Sequence, residues 1–162
     1  MPVLLLVHHT PSPALDEILD ALTAGAGSSD VREAMESAGQ PAPLEIVVRP
    51  ALVASEQEVM AADGYVLSTP ANFGYMAGAL KHFFDRVYYP VKGFTAGRPV
   101  GLVVHGNLGT EGAVRSVESI VSGLQWRWPR PPLHVRGKPD AATLEEVRDL
   151  AGLVGLAAAG VV

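Results

Sequence analysis

The chain has no cysteine among its 162 residues, which removes disulfides, thiolate nucleophiles and cysteine metal sites together and fits a reducing compartment such as the cytoplasm. Basic residues are few and unclustered. Twelve Lys and Arg stand against 17 Asp and Glu, for a formal net charge of -5, so the concentrated positive charge that nucleic-acid phosphates demand is missing. No run is long and apolar enough to span a membrane. Val3 to Val7 is apolar, but no basic region precedes it and His8, His9 and Thr10 follow, so it fits a buried first strand and not a signal peptide. The Ala- and Gly-rich tail from Leu150 to Val162 follows Glu145, Glu146, Arg148 and Asp149 and suits a docked terminal helix. With no linker, repeat or low-complexity segment, the length points to a single domain over residues 1–162. His8, His9 and His105 have no carboxylate at a ligand spacing, so no metal site is expected, and Ser12 lacks the Gly-x-Ser-x-Gly elbow of a hydrolase.

What the chain does hold is an alternation of apolar runs and helical patterns. Val3 to Val7, Tyr65 to Leu67 and Val100 to Val104 are continuous apolar runs, as central parallel strands covered on both faces require. Leu44 to Arg49 and Leu133 to Arg136 interleave polar residues, as edge strands do. With the second and fifth strands outermost, the pattern predicts an α/β fold: a doubly wound five-stranded parallel sheet in the order 2-1-3-4-5, helices on both faces, and a binding crevice between strands one and three.

The first helix is marked by Ser12 as N-cap, Pro13 at its first position and a stripe of Leu15, Ile18, Leu19 and Leu22. The Gly25, Gly27, Ser28, Ser29 cluster is expected to break it before a short run from Val31 to Ala38. Helices are also predicted over Glu56 to Ala62, over the stripe of Met76, Leu80, Phe83, Phe84 and Val87, and over that of Val114, Val117, Ile120, Val121 and Leu124. A last one is expected to open at Thr143-Leu144-Glu145-Glu146, a capping-box spacing.

Parallel strands send the loops after strands one, three and four to the same carboxyl edge, where they can share one ligand. The first loop, His8 to Leu15, sets the hydroxyls of Thr10 and Ser12 before a helix N-terminus, where free amides and the helix dipole favour an anion such as a phosphate monoester. The second, Thr69 to Tyr75, opens with Pro70, which is expected to end the strand. It offers Phe73 and Tyr75 as flat apolar surface, the Asn72 amide, and Gly74 for a turn or close approach to a heteroaromatic ring. The third, His105 to Gly112, has three glycines that let backbone amides approach ring heteroatoms. His105 stands where it could either bond the ring or simply pack the loop. Phe73 and Tyr75 have a second reading as cover for a subunit contact. Trp126 and Trp128 suit a core or interface cap.

Ala62 to Pro70, with Gly74 and then Gly78 to Arg86, together with Gly97 to Val103, resembles the flavodoxin-like FMN proteins, and within them the NAD(P)H-dependent FMN and quinone reductases. The resemblance spans nearly the whole chain. It implies that Thr10, Ser12, Ala14 and Leu15, with Pro13 among them, hold the FMN phosphate. It further implies that Pro70, Ala71, Asn72, Phe73, Gly74 and Tyr75, with His105, Gly106, Asn107, Gly109 and Thr110, hold the isoalloxazine. NAD(P)H as reductant, a small-molecule acceptor such as a quinone, and a homodimer involving Tyr88, Tyr89 and Pro90 are expected on the same ground. The departure is in the first loop, where Pro11 and Pro13 each remove an amide donor that the family's Ser-, Thr-, Gly- or Asn-rich loop keeps. That leaves three readings: an FMN-dependent reductase; an electron carrier or FMN-binding module without nicotinamide activity; and the fold without flavin. The dispersed acids favour the first over a carrier, which would concentrate them at a docking surface.

Overall fold

In the computed structural model, which describes residues 1–162, strand β1 (Val3–His8) leads to α1 (Pro13–Ala26) and α2 (Ser29–Ser37). Then follow β2 (Glu45–Pro50), α3 (Glu56–Ala61), β3 (Gly64–Asn72), the short β4 (Tyr75–Met76) and α4 (Gly78–Val91). The chain ends with β5 (Val100–Gly106), α5 (Thr110–Leu124), β6 (Leu133–Arg136) and α6 (Ala141–Ala158). The five long strands form one parallel sheet in the order β2-β1-β3-β5-β6, which is the doubly wound order the apolar runs predict. The short β4 is an addition, antiparallel to the end of β3.

Cover follows the pattern of the runs. Leu4, Leu5, Leu6 and Val7 of β1 are fully buried, and their alternation divides the core in two. Leu5, Val7, Tyr65, Leu67, Leu102 and Val104 pack beneath α3, α4 and α5; Leu4, Leu6, Val66 and Val103 pack beneath α1 and α6. Each such side chain contributes about 1.5–3 kcal/mol when fully buried. Trp126 caps the first core, its ring stacked on Tyr65 at 4.0 Å between centroids and its indole N–H donating to the buried Thr95 hydroxyl at 2.9 Å.

Two local expectations are corrected and a third is narrowed. Pro70 does not end β3, which continues to Asn72. It stands at the last register position of the β3–β5 ladder and beyond the end of β1, so its missing N–H removes little from the sheet. The break expected at the Gly25, Gly27, Ser28, Ser29 cluster is there, at Gly27 and Ser28 between α1 and α2, but Gly25 itself lies inside α1, which runs on to Ala26. A β-carbon there would lie 2.6 Å from the Arg148 Cα, so the glycine permits close packing of α1 on α6. The last helix begins at Ala141, not Thr143: Asp140 is its N-cap, accepting the Thr143 amide at 2.8 Å.

Candidate functional site

At the carboxyl edge, β1 delivers His8 and the chain turns into α1 through Ser12, whose extended backbone and hydroxyl, accepting the Leu15 amide at 3.3 Å, start the helix. Pro13 occupies the first helical position. The Thr10 hydroxyl is bonded to His8 Nδ1 at 2.7 Å, so both hydroxyls of this loop are engaged within it. Its available donors are therefore backbone. The amides of Thr10, Ser12 and Ala14 make no hydrogen bond within the chain, whereas the Leu15 amide is taken by Ser12 and its side chain is buried in the core. Burial holds His8 below the ordinary histidine pKa; His9 adds to this and Asp16 opposes it.

The second loop is a two-residue hairpin. Ala71 pairs with Met76 and Asn72 with Tyr75, and Phe73 and Gly74 form the turn with φ of 53° and 68°. A residue with a β-carbon is held here in a left-handed conformation, and its ring is fully exposed; Tyr75 is partly exposed beside it. Buried Thr69 ties the base of the hairpin, accepting the Ala77 amide at 3.0 Å, and Ser116 on α5 accepts the Met76 amide at 3.1 Å.

The third loop leaves β5 at Gly106 and enters α5 through Asn107, Leu108 and Gly109, with Gly109 at φ 73°. His105 Nε2 lies 2.8 Å from the Gly137 carbonyl, which can only accept. Nε2 therefore carries a proton and donates to that carbonyl, which fixes the ring. Two side-chain oxygens at this edge, Ser68 Oγ and Thr110 Oγ1, are fully buried without a partner.

A fourth loop joins these three, one that the sequence reading did not enlist. An open pocket of about 410 Å³ is lined by Pro13, Ala14 and Glu17 of α1, His105 and Asn107 after β5, and Gly137 and Lys138 after β6. Lys138 is exposed and in no ion pair, the cation of the pocket beside the Glu17 carboxylate. The placement of the fifth strand at the edge already sent its loop to this side, and a lysine there is the signal that was available. Of the expected site residues, Pro13, Ala14, His105 and Asn107 share this pocket. Pro70 to Tyr75 instead form the hairpin, docked on α5 near Gly109 and Thr110. No group of three or more His, Cys, Asp or Glu converges anywhere, and no helix is long and apolar enough to cross a membrane.

A parallel sheet of this order, with helices on both faces and its loops at one carboxyl edge, defines a flavodoxin-like fold. Solved structures agree. A flavodoxin from the domain Archaea superposes with a TM-score of 0.75 at 15% identity, over 96% of this chain and 98% of that one. A WrbA-like flavodoxin from Agrobacterium tumefaciens does so at 0.73 and 13%, over 98% of each. A flavodiiron core from Synechocystis reaches 0.74 at 12%, over 97% of this chain, which spans only 36% of that longer one. At these identities the likeness is one of fold. No curated protein matches the chain. The profile described as NADPH-dependent FMN reductase matches residues 40–135, more than half of the sequence, and the chain belongs to that family of flavin-binding oxidoreductases.

The residues present fit FMN. Three unbonded amides at the start of α1 suit a phosphate, the hairpin and third loop offer an apolar wall and backbone donors to a ring, and the two orphaned hydroxyls lie at the same edge.

Proposed function

We propose that this chain is an FMN-dependent oxidoreductase that takes reducing equivalents from NAD(P)H and delivers them to a quinone or another small acceptor. The observation that carries the reading is the placement, at the same carboxyl edge of the parallel sheet of an FMN reductase family member, of the unbonded amides before α1 and a glycine-turned hairpin bearing exposed aromatics. FMN, when bound, supplies the hydride chemistry. The protein's part is to bind and orient. The amides of Thr10, Ser12 and Ala14 donate to the phosphate, and Lys138 brings positive charge to the pocket that adjoins them. Phe73 and Tyr75 give the ring a wall, and backbone groups of Gly106 to Thr110 reach its edge. His105, its Nε2–H donating to Gly137, holds its ring at the same edge.

The reading takes residues 1–162 as one domain working in the cytoplasm as a homodimer. A groove between α4 and α5 lined by Phe84, Tyr88, Tyr89 and Ile120, with Tyr89 exposed, supports a subunit contact there.

The test is a titration with FMN followed by flavin fluorescence, then addition of NADH or NADPH with a quinone. Saturable binding and nicotinamide oxidation are expected. Binding without oxidation leaves the electron-carrier reading standing, and no binding at high FMN sinks both.

A further inference from the structure

The hairpin and the first turn of α5 meet through glycine. A β-carbon on Gly109 would lie 2.8 Å from Gly74 Cα and 3.1 Å from Gly74 N, and one on Gly112 would overlap the Gly74 carbonyl oxygen. The three glycines serve different ends. Gly74 needs its left-handed φ of 68° and has open space where a β-carbon would go. Gly109 needs both its φ and the contact. Gly112 lies within α5, a place where glycine weakens a helix, and only the close approach of the hairpin accounts for it. The Met76 amide, bonded to Ser116 Oγ one turn further along α5, locks the same contact from the other strand of the hairpin. Ser116 is itself anchored on the Ala113 carbonyl at 2.7 Å.

We propose that Gly112 is a positioning residue for the flavin ring. The inference rests on the flavin reading above. Gly112 acts through Gly74: it seats the hairpin at a fixed height on α5, so that Phe73 and Tyr75 and the Gly106–Thr110 backbone present one preformed wall to the ring. A preformed wall spares the ordering of a loop on binding, which would otherwise weaken affinity. The phosphate end, held at α1 on another strand's loop, is outside its reach.

Gly112→Ala tests this, with Gly78→Ala as the control because a β-carbon on Gly78 meets nothing within 4 Å. Three readouts are taken: the thermal melt, amide hydrogen exchange at Met76, and the affinities for FMN and for riboflavin, which lacks the phosphate. In Gly112→Ala the Met76 amide exchanges faster, both flavins bind more weakly by the same factor, roughly two- to tenfold as for one lost aromatic contact, and the FMN-to-riboflavin ratio stays at its wild-type value. Gly78→Ala, at the first position of α4, leaves Met76 exchange and both flavin affinities unchanged and does not lower the melt. Unchanged Met76 exchange or unchanged flavin affinity in Gly112→Ala overturns the proposal, and so does a change confined to FMN. Should Gly112→Ala lose its cooperative melt, Ser116→Ala, which removes the acceptor of the Met76 amide, is held to the same outcomes. Wild-type protein that binds neither flavin overturns the functional reading itself, and Met76 exchange then judges the seam alone.

Discussion

Phe73→Asn should raise the stability of the flavin-free protein and lower its affinity for flavin, two effects of opposite benefit from one side chain. Phe73 and Gly74 are the central residues of a turn with both φ values positive, 53° and 68°, a geometry for which Asn-Gly is the preferred pair. Holding a residue with a β-carbon in the left-handed region costs about 1–2 kcal/mol, and asparagine recovers much of that through local hydrogen bonding. Nothing offsets the gain, because the Phe73 side chain is 107% exposed and its removal forfeits no burial. The net is about 1 kcal/mol, or a melting temperature roughly 2–4 °C higher for a chain of this size. The flavin term runs the other way: losing one aromatic stacking contact is worth about 0.5–1.5 kcal/mol, a roughly two- to tenfold rise in Kd.

Thermal melts of the flavin-free protein and fluorescence titrations with FMN measure the two terms separately, and Phe73→Ala separates their causes. Alanine keeps the strain and loses the ring, so it should weaken FMN with little change in melting temperature. A fall in melting temperature for Phe73→Asn would refute the strain argument. Unaltered FMN affinity in both variants would refute the ring contact and leave Phe73 a strained residue without a ligand to justify it.

Lys138→Gln should weaken FMN by roughly two- to fivefold, as for an exposed charge pair, and leave riboflavin unaffected; the difference should shrink as salt is added, and isothermal titration of both flavins at low and high ionic strength checks it. His8 has its pKa lowered in the folded state, so below an ordinary value of about 6.5 the unfolded chain takes up a proton that the folded chain resists. Its contribution is therefore intact above that pH and lost as pH falls towards the lowered value. His8→Asn should flatten that part of the stability profile in denaturant titrations between pH 7 and 5, and an unchanged slope would exclude His8 as its source. Thr95→Val leaves the buried Trp126 indole N–H without its acceptor, a cost of about 1–3 kcal/mol, and should lower the melting temperature by roughly 3–10 °C.

The sheet was legible because its determinants are local and repetitive. Uninterrupted runs such as Leu4-Leu5-Leu6-Val7 can only be covered on both faces, the polar interruptions in Glu45–Arg49 and His134–Arg136 mark edges, and the order follows from where each kind falls in the chain. Ser12 and Pro13 announced α1 for the same reason, since an N-cap and a first-position proline act within one turn. The misjudged residues depend on what lies across from them. Pro70 looks like a strand breaker until the neighbouring strand is seen to have ended, and Gly25 like a helix breaker until the Arg148 backbone of α6 is seen against it. Thr143 offers a complete capping box by spacing, and only the amide bond shows that Asp140 is the residue that caps. Lys138 needed the fourth loop to be placed beside α1, a contact between segments more than a hundred residues apart.

The two prolines of the first loop take on a different meaning once the hydroxyls beside them are seen to be occupied. With Thr10 bonded to His8 and Ser12 capping Leu15, neither side chain is free for a phosphate without breaking a bond already made. Pro11 and Pro13 meanwhile restrict the turn in which the amides of Thr10, Ser12 and Ala14 are left unbonded. The loop thus has fewer donors but needs less ordering on binding, and the two effects on affinity oppose each other. What it lacks is charge, since Asp16 and Glu17 follow at once on α1 and the cation near them, Lys138, comes from another strand's loop. On the proposed reading, recognition at both ends of this site would be carried mainly by backbone held in place from elsewhere: amides of a proline-rich loop at one end, and a hairpin seated on glycines of α5 at the other.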